Sequence, residues 1–432
     1  MSRKLSWGAA VALVAVTASV TVSLTYVYAM KSFNTKVADI NERQAMYTKL
    51  SEIDQKTRQD YIGSVNEKEL NDGICAGYAA GLGNSQAKYL SAEKYKAYLN
   101  GSSEKSIGVG IKTVQDKDGN MEVIEVTPGS PAEKSGIKKG DTIVSMDDKE
   151  IVRLTYGDAL NKLDGAAGSK VKFGILRRQN AAGPSAEAKA ALLSITVTRA
   201  EYAEQTLTSS MINGNVAYLK ISAFTDSNAE QFNNMLAARI KQGASGIVID
   251  LRSNSGGSIR GMAEMLDTLL PAGNTVSYRD KAGKTTVQYT SGPNTVNLPI
   301  SVMINRNTFG VAEIFAADIK DYKKGLLVGE RTAGLGTKDE VKPLSDGSAI
   351  ILPVADYLTL NGDVFSGKGI GVDIEKELTS EQQALLVRNQ LKGDQDPQLQ
   401  AAVSALIRQG ASVEKAPGTE NAPVNSNAAA TE

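Results

Sequence analysis

The stretch "NTFGVAEIFAADI", residues 307–319, follows an apolar run over 298–304 that reads as a buried strand, and it opens a helix. A strand, a tight turn and a helix N-terminus are where α/β enzymes often place a nucleophile. The hydroxyl in that turn is Thr308. Any base serving it cannot be histidine, because the chain has none. That absence removes Ser-His-Asp and Cys-His mechanisms and HExxH zinc sites together, leaving Lys, a carboxylate or Tyr. The one cysteine, Cys75 in "GICAGYAAGL", excludes an internal disulfide framework and a Cys-based metal site, and on an apolar helical face it reads as core. Asp250 and Arg252 in "DLR" read better as an ion pair at a strand end than as catalytic carboxylate and clamp. Ser255 and Ser258 flank a glycine pair with no base in view, and read as turn residues. No metal and no cofactor are expected.

The elements that would position these groups follow from composition and periodicity. The 48 basic and 48 acidic residues leave no field to attract nucleic acid, so no such partner is expected. After Arg3 and Lys4, residues 5–30 carry no charge, a length that crosses a hydrocarbon layer of about 30 Å. This predicts an uncleaved anchor in the lipid bilayer of the cell membrane, single-pass, with residues 1–30 forming a cytoplasmic tip and span and the bulk extracytoplasmic. Residues 31–103 are helical in pattern and predict a stalk and cap, which offers a surface for homo-oligomer formation. Short strands broken by Gly, Pro and Asp follow over 104–200. Over 201–378, "VAYLKI", "GIVIDL" and "ISVMIN" alternate with helices such as "SNAEQFNNMLAARIKQG", an α/β pattern. Helices are expected over 379–409, one with Asp396 as N-cap and Pro397 in its first turn, and a disordered tail over 410–432.

"SIGVGI", residues 106–111, puts Gly108 and Gly110 where backbone passes close to something. Ser106, Ile107, Gly108, Val109, Gly110 and Ile111 form a loop of the kind that receives a peptide carboxylate while the next strand pairs with the peptide. Alone the hexamer fits an ordinary Gly-containing strand start better. Its surroundings decide otherwise: "VTPGSPAEKSGIKKGDTIVSMDDKEI" and "TYGDALNKLDGAAGSKVKFGILRR" resemble the PDZ domain of peptidases.

Further along, "GIVIDLRSNSGGSIRGMAEMLDTLL" and "GLLVGERTAGLGTKDEVKPLSDGSAIILPVADYLTLNGDVFSGKGIGVDI" resemble the carboxy-terminal processing (tail-specific) serine peptidases. The resemblance implies an α/β core of the tail-specific protease (ClpP/crotonase-like) type, with an inserted PDZ domain, an N-terminal helical cap and, here, a transmembrane anchor. It implies peptide or protein C-terminal tails as partners, and cleavage by a Ser-Lys dyad without histidine. The family's nucleophile precedes a Glu-Ile by three residues; "TFGVAEI" puts Gly310 there, with Thr308 at the family's first serine. In "GERTAGLGT" Leu335 takes the place of the basic lysine, and Asp339 that of the supporting glutamine. Glycine offers no oxygen and leucine no proton acceptor. Gly256 and Gly257 of "SNSGG" keep the family's oxyanion-hole glycines, unless they serve only a tight turn. A displaced pair of Thr308 and Lys338 needs two simultaneous register shifts. The expectation is therefore a membrane-anchored, tail-binding pseudopeptidase. The alternatives are a working Ser- or Thr-type endopeptidase acting near C-termini and a non-binding structural stalk.

Overall fold

The computed structural model describes residues 7–101, 105–178, 190–293 and 296–413. It divides into two compact units, residues 1–77 and 78–432. In the first unit α1 (Trp7–Asp60) is one helix of 54 residues, followed by α2 (Glu67–Ala80). Arg58 bonds Asp54 one turn back and reaches Glu67 beyond the break, 2.7 Å away. The anchor expected over residues 5–30 falls partly outside the described residues, and among these no helix is long and apolar enough to cross a membrane. Hydroxyls at Thr17, Ser19, Thr21, Ser23 and Thr25 dilute the apolar character of that stretch. Cys75, expected in a core, is half-exposed in α2.

The second unit opens with a departure from the expected all-helical segment. β1 (Lys88–Leu90) precedes α3 (Ala92–Gly101) and pairs antiparallel with a strand more than 250 residues away. That pairing is a tertiary event no local periodicity records. Then β2 (Lys105–Gly108) leads through the Gly110 turn into β3 (Ile111–Gln115) and β4 (Met121–Val126), and on through α4 (Pro131–Lys134), β5 (Thr142–Met146) and β6 (Lys149–Glu150). Helix α5 (Tyr156–Asn161), the hairpin of β7 (Lys170–Arg178) and β8 (Ala190–Thr198), and β9 (Ala200–Ala203), which returns to pair with β2, complete the domain. Alternation along β4 and β7 turns Met121, Val123, Phe173 and Ile175 inward, all fully buried. Pro131 and Ala132 follow Ser130, whose side chain caps α4 by accepting from Glu133 N.

The core sheet is β10 (Leu207–Ile212), β11 (Val216–Ile221), β12 (Gly246–Asp250), β15 (Ile300–Ile304), β16 (Gly325–Gly329) and β19 (Ile374–Glu375), in that spatial order. Only the β10–β11 pair is antiparallel. β12 and β15 are buried at every residue, because helices cover both faces. On one face α6 (Asn228–Lys241), α7 (Ile259–Leu269) and α8 (Val311–Asp321) pack on Leu219, Ile249, Val302 and Ile304. On the other, α10 (Pro397–Arg408) packs on Val216, Val248, Met303 and Val328. A second, antiparallel sheet joins β1 to β13 (Gly273–Asp280), β14 (Thr285–Ser291), β17 (Thr337–Pro343) and β18 (Ala349–Leu358). α9 (Ser380–Val387) precedes α10, whose N-cap Asp396 accepts from Gln398 N and Leu399 N at 3.0 Å as its sequence predicts. Most of the tail expected over 410–432 lies outside the described residues.

Candidate functional site

The elbow between β15 and α8 is tied down by two buried side chains. Asn305 Oδ1 accepts from Ser253 N (2.9 Å) and Asn307 N (3.1 Å), binding the end of β15 to the loop after β12. Thr308 Oγ1 donates to Leu251 O at 2.8 Å and accepts from Asn305 N at 3.1 Å, with no exposure at all. The Thr308 hydroxyl is thus a turn staple. Gly310 follows as N-cap of α8 with φ 67 and ψ −131, a left-handed, strained conformation that glycine adopts without Cβ conflict. A Cβ there would meet open space, its nearest neighbour being Gly256 Cα at 3.9 Å. The turn therefore has room for a side chain at position 310, where glycine supplies none.

Glu313 stitches this elbow to the loop that carries Leu335. Fully buried in the first turn of α8, its carboxylate accepts from Gly310 N (3.0 Å), Leu335 N (2.8 Å), Gly334 N (2.7 Å) and Thr332 Oγ1 (2.5 Å). The amides of Gly310 and Leu335 share one oxygen, Oε2, so positions 310 and 335 are neighbours in space. Burial pushes the Glu313 carboxyl above its ordinary pKa, against the four donors that pull it down. Sequence reasoning used Glu313 only as an alignment mark; the Glu at the third helical position, a capping-box signal, was the clue to its role.

The remaining expected residues are placed less favourably for chemistry. Lys338 pairs with Glu340 at 3.3 Å and lies over the Tyr278 ring, 4.8 Å from its centroid, whereas Thr308 is spent on Leu251 and Asn305; the displaced Thr-Lys pair is not formed. Asp339 lies on β17 beside a register shift and accepts from Thr337 Oγ1 at 2.9 Å. Gly256 N donates to Asn254 Oδ1 at 2.8 Å, which removes it as an oxyanion donor. Gly257 has φ 117, and a Cβ on it would lie 2.1 Å from Phe224 O, so close backbone approach requires glycine there. Ser258 caps α7 by accepting from Gly261 N, the turn role expected of it.

Asp250 and Arg252 do form the expected ion pair, and more. Arg252 bonds both Asp250 oxygens (2.9 and 2.7 Å) and reaches Asp396 (2.8 Å) and Gln398 (3.0 Å) at the start of α10, while Tyr218 OH donates to Asp250 at 2.6 Å. Burial alone would raise the Asp250 pKa, but the charge and hydrogen bonds of Arg252 and the Tyr218 bond bring it below the ordinary value. The network is saturated, a structural knot beside the elbow.

In the PDZ domain Ser106, Ile107 and Gly108, expected in a loop, lie instead on β2, because β9 supplies them with strand partners, and only Val109 and Gly110 turn the chain into β3; Val109 O accepts from Ala132 N (2.8 Å) and Gly110 O from Thr127 N (3.0 Å). Gly110 has φ 79, and a Cβ would lie 2.3 Å from Ser130 Cβ, so no other residue fits. Beyond the loop, β3 and α5 are linked by the Thr113 and Tyr156 hydroxyls, 3.1 Å apart. A cavity of about 470 Å³ runs along β3 toward the core, lined among others by Ile111, Thr113, Leu160, Ser253 and Leu386.

Comparison with known proteins agrees with this architecture. A family model described as Peptidase family S41 matches residues 215–376, and one described as PDZ domain matches 98–176. The chain is similar to the carboxy-terminal processing protease CtpA of Bacillus subtilis (strain 168), 28% identical over 333 residues, covering 77% of this chain and 69% of the relative. It is equally similar to the chloroplastic C-terminal processing peptidase of Tetradesmus obliquus, 28% over 298 residues, 67% of this chain and 64% of that one. It thus spans about two thirds of these relatives' lengths. A crystal structure from Bacteroides fragilis NCTC 9343 assigned to the S41 proteases shares the fold, with a TM-score of 0.53 at 20% identity over 81% of this chain and 91% of that one. The chain thus carries a PDZ domain and an S41-type peptidase core, the two parts over which it is similar to carboxy-terminal processing peptidases.

Proposed function

We propose that this chain is a tail-binding pseudopeptidase, anchored to a membrane through residues 5–30 with its bulk outside the cytoplasm. The observation that carries the reading is Gly310: the elbow is built, open and tied by Glu313 to the neighbouring loop, yet the nucleophile position has no side chain and the adjoining base position holds Leu335. A Ser-Lys mechanism requires an oxygen and a neutral amine, and removing even one member of a catalytic set costs orders of magnitude in rate. Binding does not depend on these groups. The Val109–Gly110 turn between β2 and β3 suits a tail carboxylate through backbone N–H groups, and β3, at the edge of its sheet, suits a peptide added as a strand. Membrane anchoring rests on the uncharged run in the sequence and on the exposure of Val20, Leu24 and Val27 in α1. The relatives named above are called proteases, so the test must address turnover directly. Purified full chain incubated with unstructured peptides of varied free C-termini is expected to bind without cleaving, more weakly after Gly108→Val, whose new side chain crowds Asp164 and Leu163 O. Peptide turnover abolished by Thr308→Ala would overturn the reading.

A further inference from the structure

Lys220 lines three cavities beside the core sheet. One is the 470 Å³ cavity along β3, one of about 360 Å³ is shared with Lys112 and Glu125, and one of about 220 Å³ is shared with Tyr218, Asp250 and Arg252. Lys220 stands on β11 two residues after Tyr218, so both side chains leave the sheet on one face, while Leu219 and Ile221 turn to the buried cluster on the other. Its register partner on β12 is Asp250. That carboxylate is already engaged, by two bonds from Arg252 and one from Tyr218. Among the described residues the Lys220 ammonium makes one hydrogen bond, to Asn389 Oδ1 at 3.5 Å, which is long for such a contact. An ammonium carries three donors, and a half-buried one with a single long bond is set to receive an anion from the space it lines. Lys112, the other lysine in two of these cavities, is paired with Glu125 at 3.2 Å across β3 and β4.

The strand that would bring an anion there is β3. It is hydrogen-bonded to β4 on one side, and its other edge can take an added strand. A tail whose carboxylate sits on the Val109–Gly110 turn runs antiparallel to β3, its last residue opposite Ile111 and its fourth from last opposite Val114, and these β3 residues line the 470 Å³ cavity. Residues facing each other on paired strands point to the same side. Ile111 packs on the buried PDZ cluster and Thr113 meets the Tyr156 hydroxyl of α5, so tail residues opposite these two point toward the PDZ core and α5. The second and fourth residues from the end point the other way, to the side on which Lys112 shares two cavities with Lys220. We propose that Lys220 selects the tail by charge: it receives an Asp or Glu side chain from the second or fourth position before the tail's end, and the preferred partner is an acidic C-terminal tail. The inference rests on the tail-binding reading above, but its readout is a ratio between peptides and can fail while that reading stands.

The test uses the full chain and fluorescein-labelled Gly/Ser decapeptides ending in Val with a free carboxylate. One carries Asp at the second and fourth positions from the end, an isomer carries the two Asp at the third and fifth, a third peptide carries Lys at the second and fourth, and a fourth has no charged side chain. Wild type is expected to bind the first about three- to tenfold more tightly than its isomer, as one partly desolvated ion pair would give, with the ratio narrowing as salt is raised. Lys220→Gln should bring the two Asp peptides to equal affinity. Lys220→Glu should prefer the Lys peptide to the first, a reversal that misfolding cannot produce. Equal binding of the two Asp isomers by wild type, or a preference that survives in Lys220→Gln, overturns the role of Lys220 and leaves tail binding standing. Absence of binding to all four peptides, the uncharged one included, overturns the tail-binding reading and the selection with it.

Discussion

Gly310 and Asp318 carry the consequences that belong to single residues. At φ 67 and ψ −131 any L side chain at 310 is strained, though a Cβ has room. Gly310→Ser is therefore expected to fold, to lose about 1–3 kcal/mol in denaturant melts, and to gain no peptidase activity while position 335 is leucine. Asp318, on α8 and 1% exposed, has one oxygen without a hydrogen-bond partner among the described residues. Burial, then the charge of nearby Asp321, hold its pKa well above the ordinary value. The sign follows from linkage: the native state keeps a proton the unfolded chain has lost. Its contribution is full below the unfolded carboxylate pKa of about 4 and is lost as pH rises toward the native value, at up to about 1.4 kcal/mol per pH unit. Asp318→Asn should flatten that fall, seen as a smaller change in melting temperature between pH 5 and 8 than in wild type. An unchanged pH profile would show the carboxyl to be ionised in the fold. Nothing in "VAEIFAADIKD" marks Asp318 as buried, since an aspartate there fits an exposed helical face equally well.

At the scale of elements, α8 and the 330–337 loop are one piece because of Glu313. Four donors converge on a carboxylate without solvent access, and each charge-assisted bond contributes more than a neutral one. Glu313→Ala leaves three amides and a hydroxyl without their acceptor, and is expected to lower stability by about 2–4 kcal/mol and to expose the loop to proteolysis around Gly334. A loop as resistant as wild type would mean the elbow and loop are held by packing alone. The elements themselves were legible: β11, β12 and β15 match "VAYLKI", "GIVIDL" and "ISVMIN", because continuous apolar runs of strand length between turn residues leave few alternatives. β1 was not legible, since three residues, Lys88 to Leu90, become a strand only when β18 supplies the hydrogen bonds. Cys75 misled for a related reason: an apolar helical face predicts burial only where another surface covers it.

For the whole molecule, the Asp250–Arg252–Asp396 knot matters most, joining the end of β12 to a helix 146 residues later. Arg252→Ala strands two buried carboxylates and is expected to cost about 3–5 kcal/mol in chemical denaturation. Asp250 also carries a pH signature opposite to that of Asp318. Its depressed pKa adds stability above the unfolded carboxylate value that is lost as pH falls, so acid should unlock α10 from the sheet first, read by faster amide exchange over 397–408. The sequence by itself carried the resemblance to the S41 peptidases, the PDZ segment, the core strands and the residue types at positions 310 and 335. These depend on residue type and local spacing, which a linear string carries in full. Only the tertiary structure decided that Thr308 is a staple rather than a nucleophile, that Gly256 has given its amide to Asn254, and that Glu313 clasps the elbow. Each of those depends on which distant group a side chain meets and whether water reaches it, and chain folding alone sets both.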